Sequence, residues 1–256
     1  MSLKKLLVAA VLMCVCVGGA VAQDVPAKKP VPIRIAVYDD KGSPRTPRDF
    51  ERVFGSDPEH YQLTNVTAEQ IRAGALKDFD VIVQGGGGSK AQAAQLEPAG
   101  REEIRKFVRG GGGYLGICAG AYLAAADKDY QLKILNAQVV DREHWARGRG
   151  DVELGFTKEG KQQIGEKNDK PIVMYHQGPL LAPYDDKSLP PYTTVATFDS
   201  EVALKGAPHG VMIGTTALAS GTFGDGRVFV ISPHPEQSFG HEDMVRGAVE
   251  WVAKRR

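Results

Sequence analysis

Apolar residues fall along this chain in short unbroken runs, and the runs end at glycine, proline or small polar residues. Phe79 to Gln84 (FDVIVQ), Tyr114 to Ile117 (YLGI) and Arg227 to Ser232 (RVFVIS) are apolar at nearly every position. Continuous runs of this length suit strands buried on both faces of a parallel sheet. Ile33 to Tyr38 (IRIAVY) and Tyr61 to Val66 read as the two strands before them. Between the strands the period changes. Pro47 to Phe54 suits a helix, and Thr67 opens another with Glu69 and Gln70 in its first turn. Pro98 to Val108 carries Ile104, Phe107 and Val108 on one side, and Arg101, Glu102, Arg105 and Lys106 on the other. Strand alternating with helix predicts an α/β fold of three layers, a flavodoxin-like and mostly parallel sheet with helices on both faces.

Past residue 126 the helical signal thins. Leu135 to Val140, Val152 to Thr157, Pro171 to Tyr175, Thr193 to Phe198 and Val211 to Ala219 read as strands with few helices between them. An antiparallel extension of the sheet in the C-terminal half follows. Glu242 to Lys254 closes the chain as a helix, with Val245, Val249, Trp251 and Val252 available for burial.

The sharpest local feature is RGGGGYLGICAGAYLAAA at 109–126. A short strand runs into Gly116-Ile117-Cys118-Ala119-Gly120 and then into an alanine-rich helix. Such a strand-to-helix elbow crowds the backbone, so small residues are required two places either side of the tip. Gly116 and Gly120 occupy those places. Cys118 at the tip meets a helix N-terminus, where unpaired N–H groups favour an anion and hence a thiolate. A buried structural cysteine on a tight turn is the competing reading.

The first residues combine Lys4 and Lys5 with an apolar run from Leu6 to Val17, followed by Gly18-Gly19-Ala20-Val21-Ala22. This predicts a signal peptide over 1–22 cleaved after Ala22, and hence a secreted or periplasmic protein. Residues 23–31 read as a disordered lead-in and 32–256 as one domain. Cleavage removes Cys14 and Cys16, two of the three cysteines. Cys118 is then a lone thiol in an oxidising compartment, which favours a reactive role. The formal charge of +1 becomes −1 when Lys4 and Lys5 leave. That balance argues against nucleic acid as a partner, and no later segment is long and apolar enough for a membrane span. Asn65-Val66-Thr67 matches a glycosylation sequon.

Directly after RVFVIS stands Pro233-His234-Pro235-Glu236. Residues i and i+2 at a strand end project the same way, so the Glu236 carboxylate can reach the His234 ring. A cysteine nucleophile needs an imidazole base held in one tautomer by a third group. An ordinary core histidine beside a solvated acid is the alternative, and so is a metal site built from His234, Glu236 and His241. The chain has neither H-E-x-x-H nor C-x-x-C spacing, so no metal or other cofactor is expected. His176, in YHQGP after a predicted strand, is a candidate substrate contact or an ordinary loop histidine. Tyr122 reads as a packing residue. Asp141, Glu143 and His144 form a polar cluster without an evident role.

GGGGYLGICAGAYLA at 110–124, MYHQGPLL at 174–181 and SPHPEQS at 232–238, with VYDDKGS and VIVQGGGG upstream, resemble the class I glutamine amidotransferase-like superfamily. Within it they are most similar to the biotin-protein ligase N-terminal domain family. The resemblance implies Cys118 as nucleophile, His234 as base and acid, and Glu236 as the group orienting it. It implies an oxyanion hole from the Ala119 N–H and an N–H of Gly86 or Gly87. A cysteine-dependent hydrolase or amidase acting through a thioester on a small-molecule or peptide-like substrate is the leading expectation. A non-catalytic binding or regulatory module on the same fold is the alternative.

Overall fold

The computed structural model describes residues 31–255. The expected signal peptide, and all of the lead-in but its last residue, lie outside the described residues. Strand β1 (Ile33–Tyr38) leads through a polar loop to helix α1 (Thr46–Phe54). Pro47 stands in the first turn of α1, where a missing N–H costs nothing. Thr46, Asp49, Phe50, Val53 and Phe54 form its buried face. Strand β2 (Tyr61–Val66) ends at Thr67, which caps α2 (Ala68–Arg72) in a reciprocal box with Gln70.

Strand β3 (Val81–Gln84) runs through the glycine loop into α3 (Ser89–Arg109). The sequence pattern predicts helix only from Pro98, whereas the structure begins it at Ser89 and breaks it at Glu97 (φ 59°, ψ 173°). Pro98 causes the break, because it disfavours helical backbone at the preceding residue and crowds the turn behind it. Arginines reach the carbonyls exposed there: Arg72 Nη1 donates to Gln95 O at 2.6 Å and Arg101 Nη1 to Ala93 O at 2.8 Å. Strand β4 (Gly113–Ile117) then enters α4 (Ala119–Ala124).

The second half contributes β5 (Ala137–Val140), β6 (Arg149–Phe156), α5 (Lys158–Ile164), β7 (Ile172–His176), β8 (Leu180–Pro183), β9 (Thr193–Phe198), β10 (Thr216–Phe223), β11 (Gly226–Ile231) and α6 (Glu242–Val252). The sheet order is β2-β1-β3-β4-β11-β10-β9-β6-β7, with β5 and β8 branching from β10. The first five of these strands are mutually parallel, and from β11 to β7 every pairing is antiparallel. This is the flavodoxin-like order with the expected antiparallel extension. One core cluster packs α1, α6 and the inner strands, and a second packs α2, α3 and α4 on the other face.

The apolar stretch expected as a strand over Val211 to Ala219 is a strand only from Thr216 onward. Gly210 and Gly214 adopt positive φ (81° and 78°), which bends the chain and leaves Val211 and Ile213 exposed. Strand β8 and helix α5 escape the pattern because one is four residues ending in proline and the other buries only Gly160 and Ile164. Among the described residues no helix is long and apolar enough to cross a membrane.

Candidate active site

β4 lies between β3 and β11, so the turn that follows it opens inside the parallel half of the sheet and not at its edge. The Cys118 N–H donates to Ile231 O at 2.8 Å, carrying the β4–β11 ladder one residue past the strand. At Cys118 the chain reverses with φ 50° and ψ −99°, a conformation that costs a side-chain-bearing residue about 1–3 kcal/mol. The two glycines are required by contact. A Cβ at Gly120 would stand 2.0 Å from Gln84 O, and one at Gly116 would stand 2.5 Å from Gly120 O.

The segment after β11 is stiff. His234 donates its N–H to Met174 O at 2.7 Å, and its carbonyl accepts from Ser238 Oγ at 2.9 Å. Ser238 Oγ also accepts from Met174 N–H at 2.9 Å, so β7 and this segment clasp each other. Within the clasp His234 Nδ1 and Glu236 Oε1 are 2.6 Å apart, and both side chains are almost wholly buried. Burial works to lower the His234 pKa, but the Glu236 carboxylate and then the Cys118 sulfur outweigh it and hold the pKa well above its ordinary value. Among the described residues His234 Nε2 and Glu236 Oε2 have no hydrogen-bond partner. The thiol donates to His176 O at 3.6 Å. Among the described residues no hydrogen bond of normal geometry joins Sγ to Nε2, although the sulfur contributes to the rise of the ring's pKa.

Gly86 lies against both groups. A Cβ on it would fall 2.7 Å from His234 Cε1 and 3.8 Å from Cys118 Cβ. Gly87 takes φ 136°, with Gly42 O only 2.0 Å from the place of a Cβ. Gln92 pins this loop: its Nε2 donates to Gly42 O and to Gly85 O, both at 3.1 Å. Among the described residues the N–H groups of Gly86, Gly87 and Ala119 meet no acceptor. Ala119 is itself buried, one residue inside the turn.

Cys118, His234, Glu236, Gly86, Gly87 and His176 all line one cleft of about 960 Å³. The ring centroids of His176 and His234 are 6.5 Å apart. Burial, and then the charges of His234, Arg149 and Lys205, lower the His176 pKa. Tyr122 packs as expected and also borders the cleft, where its hydroxyl donates to Gln177 O at 3.2 Å. His241 is not among the residues lining it, and among the described residues no group of three or more His, Cys, Asp or Glu converges to hold a metal.

Of residues 141–144 only Arg142 lines the cleft, and the polar cluster lies behind it. Asp141 accepts from His144 Nδ1 at 2.6 Å and from the fully buried Arg147, while Arg142 forks onto Asp127. Sequence reasoning missed Gln92, Trp145 and Arg149. Gln92 is a buried amide in the first turns of α3, Trp145 reaches the cleft from the loop before β6, and Arg149 joins it through the pairing of β6 with β7.

The family model described as "Biotin-protein ligase, N terminal" matches residues 35–148, from β1 to the start of β6, and so includes the glycine loop and the elbow. No curated protein matches the chain by sequence. Among solved structures the chain is similar to PurLQS from Thermotoga maritima, at 16% identity and TM-score 0.62, over 86% of this chain and 99% of that one. It is similar to a ThuA-like protein from Bacteroides uniformis, at 14% identity and TM-score 0.59, over 88% and 93%. It also matches a beta-galactosidase from Rahnella sp. R3, at 12% identity and TM-score 0.56, over 86% of this chain but 31% of that one. Residues 35–148 of this chain thus match the biotin-protein ligase N-terminal family model, and the chain shares its α/β fold with these solved structures.

Proposed function

We propose that the chain is an exported cysteine-dependent hydrolase or amidase that works through a thioester on Cys118. The observation that carries this reading is the buried His234–Glu236 pair, which among the described residues leaves Nε2 unpartnered in the cleft that also holds a strained cysteine. A rotation about the Cys118 side chain moves the thiol from His176 O to Nε2. Nε2 takes the proton, and Glu236 stabilises the imidazolium that results. The sulfur then bonds to the substrate carbonyl carbon, and the oxyanion meets the N–H groups of Ala119 and of Gly86 or Gly87. Collapse of that adduct breaks the bond to the leaving amine or alcohol, which takes its proton from Nε2. Water, deprotonated by the same nitrogen, attacks the thioester and releases the acid and the free thiol.

Export rests on the sequence of residues 1–22, and N-terminal sequencing of protein recovered outside the cytoplasm tests it at the Ala22–Gln23 bond. The chemistry is tested with p-nitrophenyl acetate. Wild-type protein is expected to release nitrophenol and to carry a transient acetyl group on the Cys118 peptide, while Cys118→Ser and His234→Ala accumulate none. Bonding of the thiol to His176 O rather than to the ring favours a second reading, a binding module with an idle cysteine. That reading predicts iodoacetamide labelling of Cys118 at one rate with or without His234.

A further inference from the structure

The charged side chains around the cleft are not evenly satisfied. Its acidic lining residues are all engaged: Asp49 with Gln237 at 2.8 Å and with Arg45 at 3.6 Å, Asp129 with Lys133 at 3.1 Å, and Glu236 with His234. Among its cations Arg142 is committed to Asp127. Lys90, Lys128 and Arg149 line the same cleft, are exposed, and have no acidic partner among the described residues. A near-neutral protein thus keeps an unbalanced positive field at this opening, and such a field concentrates anions in a cleft.

Arg149 is the best placed of the three. It pairs directly with His176 across the β6–β7 ladder, so the two side chains stand on one face of the sheet. The carbonyl of that same His176 holds the Cys118 thiol. The wall behind Arg149 is fixed by the Asp141–Arg147 ion pair and by the Leu204 N–H bonding to Arg147 O at 2.9 Å. A guanidinium on a rigid strand end offers a planar fork to a carboxylate, which an exposed lysine does not.

We infer that the cleft selects substrates bearing a carboxylate near the reacting carbonyl, and that Arg149 is the residue that reads it. The inference rests on Cys118 being the reacting group, and the test keeps the two apart. Cys118 is alkylated in parallel with iodoacetate, which carries the carboxylate, and with neutral iodoacetamide, and the ratio of the two rates is the readout. A ratio taken within one variant cancels any change in the thiol itself. Arg149→Glu is expected to lower that ratio about tenfold and Arg149→Gln about threefold, with the wild-type preference fading as salt is added. Acetate is expected to protect Cys118 in the wild type better than inorganic phosphate at equal concentration.

A ratio unchanged in both variants overturns the inference, and stronger protection by phosphate overturns the carboxylate in favour of a phosphoryl group. If instead iodoacetamide reacts at one rate with and without His234, the hydrolase reading fails while the ratio still reports on Arg149. Should Arg149→Glu not fold, Arg149→Gln carries the same measurement.

Discussion

Replacing Gly86 with alanine adds one methyl group at the point where the loop, the thiol and the imidazole meet. The new Cβ would lie 2.7 Å from His234 Cε1, short of an ordinary contact by about 0.7 Å. The ring has little room to yield, since Glu236 holds Nδ1 at 2.6 Å and the backbone on both sides is clasped to β7. Overpacking of this kind costs about 1–3 kcal/mol, which in a domain of this size lowers Tm by roughly 2–12 °C. A displaced imidazole should matter more to chemistry than to stability, because misplacement by about 1 Å can reduce a rate on the order of a hundredfold. Thermal unfolding and the iodoacetamide rate of Cys118 are measured on one preparation. The expected outcome is a folded variant with a modest Tm loss and labelling slowed at least about tenfold. Labelling within about twofold of wild type, at an unchanged pH profile, would show that the ring does not act on the thiol. Gly87→Ala is the control: its Cβ meets a backbone oxygen at positive φ, so it should lose more stability than Gly86→Ala.

Three further outcomes follow from the same geometry. Cys118→Gly should be more stable than Cys118→Ala by about 1–2 kcal/mol in urea unfolding, because φ 50° strains alanine but not glycine; alanine the more stable of the two refutes the strain. Glu236→Gln removes the carboxylate that holds the His234 pKa up, so the iodoacetamide profile should move to higher pH by about one unit, and an unmoved profile means that the pair is idle. A raised folded pKa gives stability that is full below the unfolded histidine value of about 6.5 and is lost as pH climbs to the folded value. The stability advantage of wild type over His234→Gln should therefore shrink from mildly acid to alkaline pH; a constant difference would contradict this sign.

Features set by neighbours along the chain were legible in the sequence, and features set by packing across the fold were not. His234 and Glu236 are two residues apart, and the rigid turn between them fixes their approach whatever else the fold does. Gly116 and Gly120 announce a crowded turn because their own spacing creates the crowding. Gln92 gave no such signal, since its work is to tie the β1 loop to the glycine loop through two carbonyls distant in sequence. Arg149 reads as an ordinary exposed cation until the β6–β7 register sets it opposite His176. The apolar run at 211–213 misled for the opposite reason: it has strand character, but positive-φ glycines on either side leave it no ladder to join.

What favours use of the thiol over mere retention of the fold is where the molecule tolerates unfavourable arrangements. Cys118 sits in strained backbone that glycine would relieve, and among the described residues the buried His234 Nε2 and Glu236 Oε2 atoms go without hydrogen bonds. Each is a term that drift toward stability would remove, and a passive pocket has no need of any of them. Their coincidence in one cleft, beneath cations with no acidic partner among the described residues, is what the proposed attack on an anionic acyl compound requires. A binding module built for the same ligand would keep the cations and discard the strain.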